Sequence, residues 1–289
     1  MAFYLGDDDA AYRLNAQTVA TARTTGAIGD LLFALPRLAL AEILTGQWSA
    51  AEVSADEAAR LSRETSQPGL SAVSFAWLVV LAALTGDETR FQVLVTKTEA
   101  LADAHALGVF QAQVRDSLHW AHGLRELTAG KPESAVTWFS AMSHPAVAGM
   151  AAALDRIEAA IRSGRRDEAL EWLSRLDAFA THTGIASEQA RVAHCRALLA
   201  EGETARSLFE EALTLHGRSR RAFERARTEL AYGEFLRRVA GESMRAPTCK
   251  PPSTGSNNST PGRGRNGLVL SFAPPAAPHG NVTRQRSCS

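Results

Sequence analysis

The sequence predicts an all-α fold, a stack of antiparallel helix pairs, on three observations. Aromatic residues make up only 7% of the 289 and alanine is abundant, which suits close-packed helices better than a β-sandwich. Glycines punctuate residues 1–242 in two interleaved sets. Between them, small and apolar residues recur at helical spacing. A hydrophobic fraction of 45% is enough to build a sizeable core.

The first glycine set is Gly6, Gly46, Gly86, Gly130, Gly164, Gly202 and Gly241, at spacings of 40, 40, 44, 34, 38 and 39. The second, 15 to 23 residues later, is Gly26, Gly69, Gly108, Gly184 and Gly217, with His144-Pro145 taking the role in the fourth unit. Glycine past a helix end can adopt positive φ, and proline stops a helix by lacking a donor. The elements in order are therefore a helix from Gly6 to Gly26, then pairs turning at Gly46, Gly86, Gly130, Gly164 and Gly202. A last helix runs to Gly241. Asp7, Asp87, Glu133, Asp167 and Glu203 follow the turns and suit helix N-termini.

Five residues after the turn glycine stand Ala11, Ala51, Phe91, Ala135 and Ala169. Phe139 and Leu173 come four later, and Met142 and Leu176 three beyond those. Ala205, Phe209 and Ala212 keep the same 4 and 3 spacing in the sixth unit. This resembles the second helix of a tetratricopeptide (TPR) repeat, where a small residue lets two helices approach, although the period is longer than that repeat's ~34 residues. Such hairpins bury their apolar faces by stacking, giving a TPR-like α-solenoid.

The balance of 31 basic and 31 acidic residues argues against a generally basic nucleic-acid binder. Three cysteines make no disulfide framework, so a reduced, cytoplasmic protein is expected. The N-terminus has no basic segment followed by a long apolar run, so no signal peptide is expected. Ala72–Leu84 is the most apolar stretch; its 13 residues predict a buried helix rather than a membrane span. From Arg245 onward there are six basic residues, no acidic one, and seven of the 11 prolines. The sequence thus divides into a helical-repeat domain, 1–242, and a Pro/Ser/Gly/Arg-rich tail, 243–289, expected to be disordered.

The motifs point to no enzyme, and no catalytic, cofactor-binding or metal residue is assigned. There is no Walker A sequence, no His-Glu-x-x-His and no Gly-x-Ser-x-Gly. Gly262-Arg-Gly264-Arg-Asn-Gly267 matches the dinucleotide fingerprint literally but follows a Pro/Ser/Asn run instead of a strand. Two arginines in that cluster are too few for a nucleic-acid site. His119, His122 and Glu126 share a helix face that could hold a metal, yet no further ligand completes a set. Cys195 beside His194 suggests a thiol-base pair only in sequence, since adjacent helical residues point about 100° apart. Trp48, Trp77, Trp120, Trp138 and Trp172 fall on different helices and read as packing, with a ligand groove as the alternative.

The segment Ala222–Arg238, AFERARTELAYGEFLRR, resembles the helix near the end of the repeat region in large ATP-binding regulators of the actinobacterial LuxR family. ARTTGAIG at Ala22–Gly29, LLAEG at Leu198–Gly202 and LFEEALTLH at Leu208–His216 agree with it. The resemblance covers about Leu5 to Val239. It implies a helical-repeat arm that senses an effector or a protein partner, without the family's ATPase module or DNA-binding helix-turn-helix. No catalytic residue transfers, because the matching region contributes none. Within the segment, Phe223, Ala226, Leu230 and Gly233 form one face, and Gly233 is expected to permit close helix approach. Glu224, Arg227, Glu234 and Arg238 lie off that face, where i, i+3 and i, i+4 pairs contribute tenths of a kcal/mol.

In the family that helix leads into another amphipathic helix; here it leads into Pro, Ser and Asn. Shifting the frame makes Thr248/Cys249, Pro252/Ser253, Gly255/Ser256 and Asn258/Ser259 encode apolar residues at spacings of 4, 3 and 3 when the serines use TCN codons. The tail therefore reads as out-of-frame translation. The expected function is the sensor or scaffold portion of a LuxR-type regulator; the alternatives are an autonomous TPR-like adaptor or an accessory domain of a separate ATPase. Neither direct nucleic-acid binding nor a membrane partner is expected. Phe223, Leu230 and Phe235 would form an uncapped apolar end open to self-association.

Overall fold

The computed structural model describes residues 6–143 and 147–245. Among them there are 13 α-helices and no strand, so the chain is an all-α helical-repeat fold. Helix α1 (Asp8–Thr25) follows the turn at Gly6. Then come α2 (Ile28–Leu44) with α3 (Trp48–Glu64), and α4 (Ser71–Thr85) with α5 (Glu88–Ala104). Next are α6 (Gln111–Thr128) with the short α7 (Pro132–Ser140), and α8 (Val147–Ala151) and α9 (Ala153–Arg162) with α10 (Arg166–Thr183). Helix α11 (Ala186–Leu199) pairs with α12 (Gly202–His216), and α13 (Ala222–Arg245) ends the described chain.

The predicted punctuation is present at Gly46, Gly86, Gly130, Gly164 and Gly202, all at positive φ. Asp7 and Asp87 cap α1 and α5, accepting from the backbone N–H of Ala10 at 2.9 Å and of Arg90 at 3.0 Å. Three glycines behave otherwise. Gly69 sits in a 3₁₀ turn without left-handed backbone, Gly217 ends α12 in right-handed conformation, and Gly241 lies inside α13, which continues to Arg245. No side-chain demand for a turn exists at Gly241, and one glycine costs a helix only about 1 kcal/mol. His144-Pro145 and the tail from 246 onward fall outside the described residues.

The small-residue register is the packing seam. Ala11, Ala51, Phe91, Ala135, Ala169 and Ala205 are all buried, as are Ala55, Val95, Phe139, Leu173 and Phe209 four residues later. Second helices bury this one stripe, while the first helices form an inner layer buried on more sides. Helix α4 is the extreme: every residue from Ser71 to Ala83 is buried. With its preceding 3₁₀ turn the apolar segment Pro68–Thr85 reaches 18 residues, and 72% of it is inside the fold. Helices α6 and α7 approach closely because Gly123 has no side chain. A Cβ there would lie 2.3 Å from the Phe139 ring, which is itself fully buried.

The last helix departs from the sequence reading. Phe223 packs edge-on against Trp48, with ring centroids 5.3 Å apart, and Phe235 is 5% exposed against Phe209. Of the three residues expected to form an open apolar end, only Leu230, 43% exposed, faces outward. Gly233 is not a close-approach point, since nothing lies within 4 Å of a Cβ built there. The buried side of α13 instead carries Thr228 and Phe235, with Arg227 turned inward as well. The periodicity identified the helix but placed its inward face off register: Phe235, with Ala231, Tyr232, Leu236 and Val239, packs against Phe209, while the first half turns Thr228 and Arg227 inward.

Candidate functional site

Those inward charges connect distant parts of the chain. Arg221, just before α13, is 3% exposed and spends its guanidinium on three carboxylates. Its Nε and Nη2 donate to Asp8 at 2.6 and 3.2 Å, Nη2 also to Glu188 at 3.0 Å, and Nη1 to Glu224 at 3.0 Å. Asp8 belongs to α1, so the two ends of the described chain meet. Arg220 pairs with Asp9 beside it. Gly6 adds to the closure: a Cβ at this position would lie 2.9 Å from Cγ of Glu188. Arg191 donates to the other Glu188 oxygen at 2.8 Å, and its Nη2 to the carbonyls of Met150 and Ala151 at 3.0 and 2.8 Å. Those carbonyls lie where α8 gives way to α9, just before the single turn residue Ala152.

Further along α13, Arg227 donates to Asp155 at 2.6 Å and to Glu158 at 2.5 Å, both on α9. Trp120 of α6 donates its indole N–H to the other Asp155 oxygen at 2.8 Å. Burial pushes Glu224 toward the neutral form, but Arg221 and Arg191 outweigh it and hold the carboxyl down at about 2. Thr228 Oγ1 lies between His194 Nδ1 at 2.8 Å and His216 Nε2 at 3.1 Å. Burial pushes His194 down to about 4, which leaves its imidazole neutral at pH 7, and its Nδ1 is engaged by Thr228. Burial also raises Cys195 to about 12, which leaves an inert thiol.

Beside this network lies a cleft of about 310 Å³, at the small end of ligand-pocket sizes. Its walls come from α8, α9 and α10, with Glu188 of α11 at one side. Helix α10 supplies Trp172, Arg175, Leu176 and Phe179, an i, i+3, i+4, i+7 stripe along one face. Helix α9 supplies Arg156, whose guanidinium carbon sits 4.7 Å from the Trp172 ring centroid. Arg156 is 4% exposed; burial, and then the neighbouring Arg175, lower it to about 10, which leaves it charged at neutral pH.

The residues singled out in the sequence have other places. His122 stacks on Trp138 with centroids 4.4 Å apart and meets Phe91 edge-on at 5.2 Å; burial lowers both His122 and His119. Among the described residues no group of three or more His, Cys, Asp or Glu is arranged to hold a metal. Gly262–Gly267 lies outside the described residues. Of the five tryptophans, Trp77 is core, Trp120 and Trp138 join the contacts above, Trp48 meets α13, and Trp172 alone lines the cleft. Arg156, Arg175, Glu188 and Arg221 were not foreseen. The available signal was the charge on first helices, such as Glu188 and Arg191 one turn apart within α11.

Comparison of the chain with protein-family models, with curated proteins and with solved structures gave no match. The chain is a helical-repeat protein in which a small-molecule-sized recess lies beside the charged contact between α1 and the start of α13.

Proposed function

We propose that this chain is the sensing helical-repeat arm of a LuxR-type ATP-dependent regulator and acts as a scaffold, not as a catalyst. The observation that carries the reading is the position of Glu188. It borders the cleft, and its two carboxylate oxygens hold Arg191 of α11 and Arg221, which in turn holds α1 and α13. An occupant of the cleft therefore sits next to the group that ties the two ends of the arm together. A sensor needs such a link, because a ligand shifts a conformational equilibrium only through differential contact with its states. The resemblance of α13 and α12 to the end of the family's repeat region supports the assignment to this class.

The nucleotide sequence around the coding frame tests the reading. A Walker A sequence upstream, and a helix-turn-helix downstream in another frame, are expected. Intact start and stop signals without such neighbours would overturn it in favour of a free-standing adaptor. The purified chain is also expected to turn over no ATP above background and to bind no promoter specifically. Its first 244 residues carry 25 basic against 31 acidic residues, and that charge repels phosphates.

A further inference from the structure

We propose that the cleft between α8, α9 and α10 binds an uncharged aromatic or alicyclic molecule of small size. Its body lies on Trp172, Leu176 and Phe179 of α10, with Met150 of α8 and Ala153 of α9 completing the apolar wall. This names the ligand class for the sensor reading and rests on that reading for its role in signalling.

Three features of the recess select this chemistry. First, the charged groups at its border already serve the fold. Glu188 gives one oxygen to Arg191 at 2.8 Å and the other to Arg221 at 3.0 Å. Arg156 stacks on the Trp172 ring and has Asp116 as an electrostatic partner. Arg175 pairs with Glu171 at 2.5 Å, and both side chains are more than half exposed, so that charge is solvated at the rim. A carboxylate or ammonium entering the recess would lose its water and meet only committed counter-charges among the described residues, and burying an unpaired charge is costly. Second, the remainder of the lining is apolar, and Trp172, Leu176 and Phe179 form one stripe along α10 on which a ring can lie. Third, the recess is held open. Protein interiors normally close-pack, yet here the backbone of α8 is tied away from α10: buried Arg191 of α11 donates to the Met150 and Ala151 carbonyls at 3.0 and 2.8 Å. The volume of about 310 Å³ that remains admits a small molecule and excludes a peptide helix.

The test titrates the full chain by calorimetry with three neutral probes, indole, 2-naphthol and 1-adamantanol, and with their charged counterparts, indole-3-acetate, 2-naphthoate and 1-adamantanamine. At least one neutral probe is expected to bind in the submillimolar range, with its charged counterpart weaker by about tenfold or more, the cost of an unpaired charge. Its affinity should change by less than about twofold when salt is raised tenfold, because no ion pair forms. Met150→Trp and Ala153→Leu fill the recess from α8 and from α9, both at half-buried positions. Each should abolish binding while leaving the helical circular dichroism unchanged, and the second covers the case in which the first does not fold. A charged counterpart that binds as tightly as its neutral probe, binding untouched by the filling variants, or no binding of any neutral probe at about 1 mM would overturn the proposal. A hydrogen-exchange comparison separates the two readings: neutral-selective binding without altered protection in α1 and α13 supports the site and refutes its sensing role.

Discussion

Replacing Arg221 by Met removes the cation that three buried carboxylates share. In the intact protein the guanidinium makes four hydrogen bonds of 2.6 to 3.2 Å to Asp8, Glu188 and Glu224. Their side chains are only 8%, 2% and 12% exposed, so water cannot take over as partner. Breaking one side of a buried pair typically costs about 3–5 kcal/mol, because a charge is left uncompensated. For a body of this size that corresponds to a loss of about 6–20 °C in Tm. Glu188 and Glu224 keep Arg191 as a partner, while Asp8 loses both of its bonds, so damage should start at α1. Hydrogen exchange should rise in α1 and in the first turns of α13 while α4 stays protected. Arg60→Met, which breaks the exposed Arg60–Glu64 pair, serves as the control and should cost less than about 1 kcal/mol. A double variant, R221M with D8N, should regain much of the loss, because Asp8 is the carboxylate left without a cation while Glu188 and Glu224 keep Arg191. If R221M costs no more than the Arg60 control, or if exchange rises uniformly along the chain, the closure is not an energetic unit.

Acid should destabilise the fold through His194. Burial keeps it neutral down to about pH 4, against an ordinary 6.5, so the unfolded chain binds the proton first. Its contribution is complete above about pH 6.5 and is lost as pH falls toward 4, on the order of 3 kcal/mol. A pH series of urea melts should show that slope in the native protein and a shallower one in His194→Gln. Gly123→Ala should cost roughly 1–3 kcal/mol, since its Cβ would enter the buried Phe139 ring; a change under 0.5 kcal/mol in urea unfolding would contradict the close contact. Trp120→Phe leaves Asp155 with Arg227 alone and should cost about 1–3 kcal/mol; an unchanged melting temperature would show that the indole bond carries no net weight.

What could be read from sequence followed from local rules. Turn glycines, aspartate caps and the stripe running from Ala51 through Ala205 depend on backbone conformation and on neighbours one or two turns away. Those are encoded where they act. The closure depends on partners more than 210 positions apart, as Asp8 and Arg221 are, and no spacing rule brings them together. Hydrophobicity also misled at α13. Leu230 is a stronger apolar signal than Thr228, yet Thr228 is buried between two histidines and Leu230 is exposed. The cleft was hidden for a related reason: the stripe Trp172, Arg175, Leu176, Phe179 shares Leu176 with the packing seam, so its lining and its core-facing residues overlap in one pattern.

An open helical-repeat array tolerates changes in copy number, because each hairpin answers only to the ones beside it. The contact of Asp8 with Arg221 removes that freedom here. Inserting or deleting one hairpin anywhere between them would add or subtract one step of superhelical rotation and rise. That step would carry the arginine away from its aspartate by roughly the ~10 Å width of a helix, well beyond the reach of a hydrogen bond. The number of hairpins is thereby fixed as a whole, and lengthening this arm requires giving up its closure.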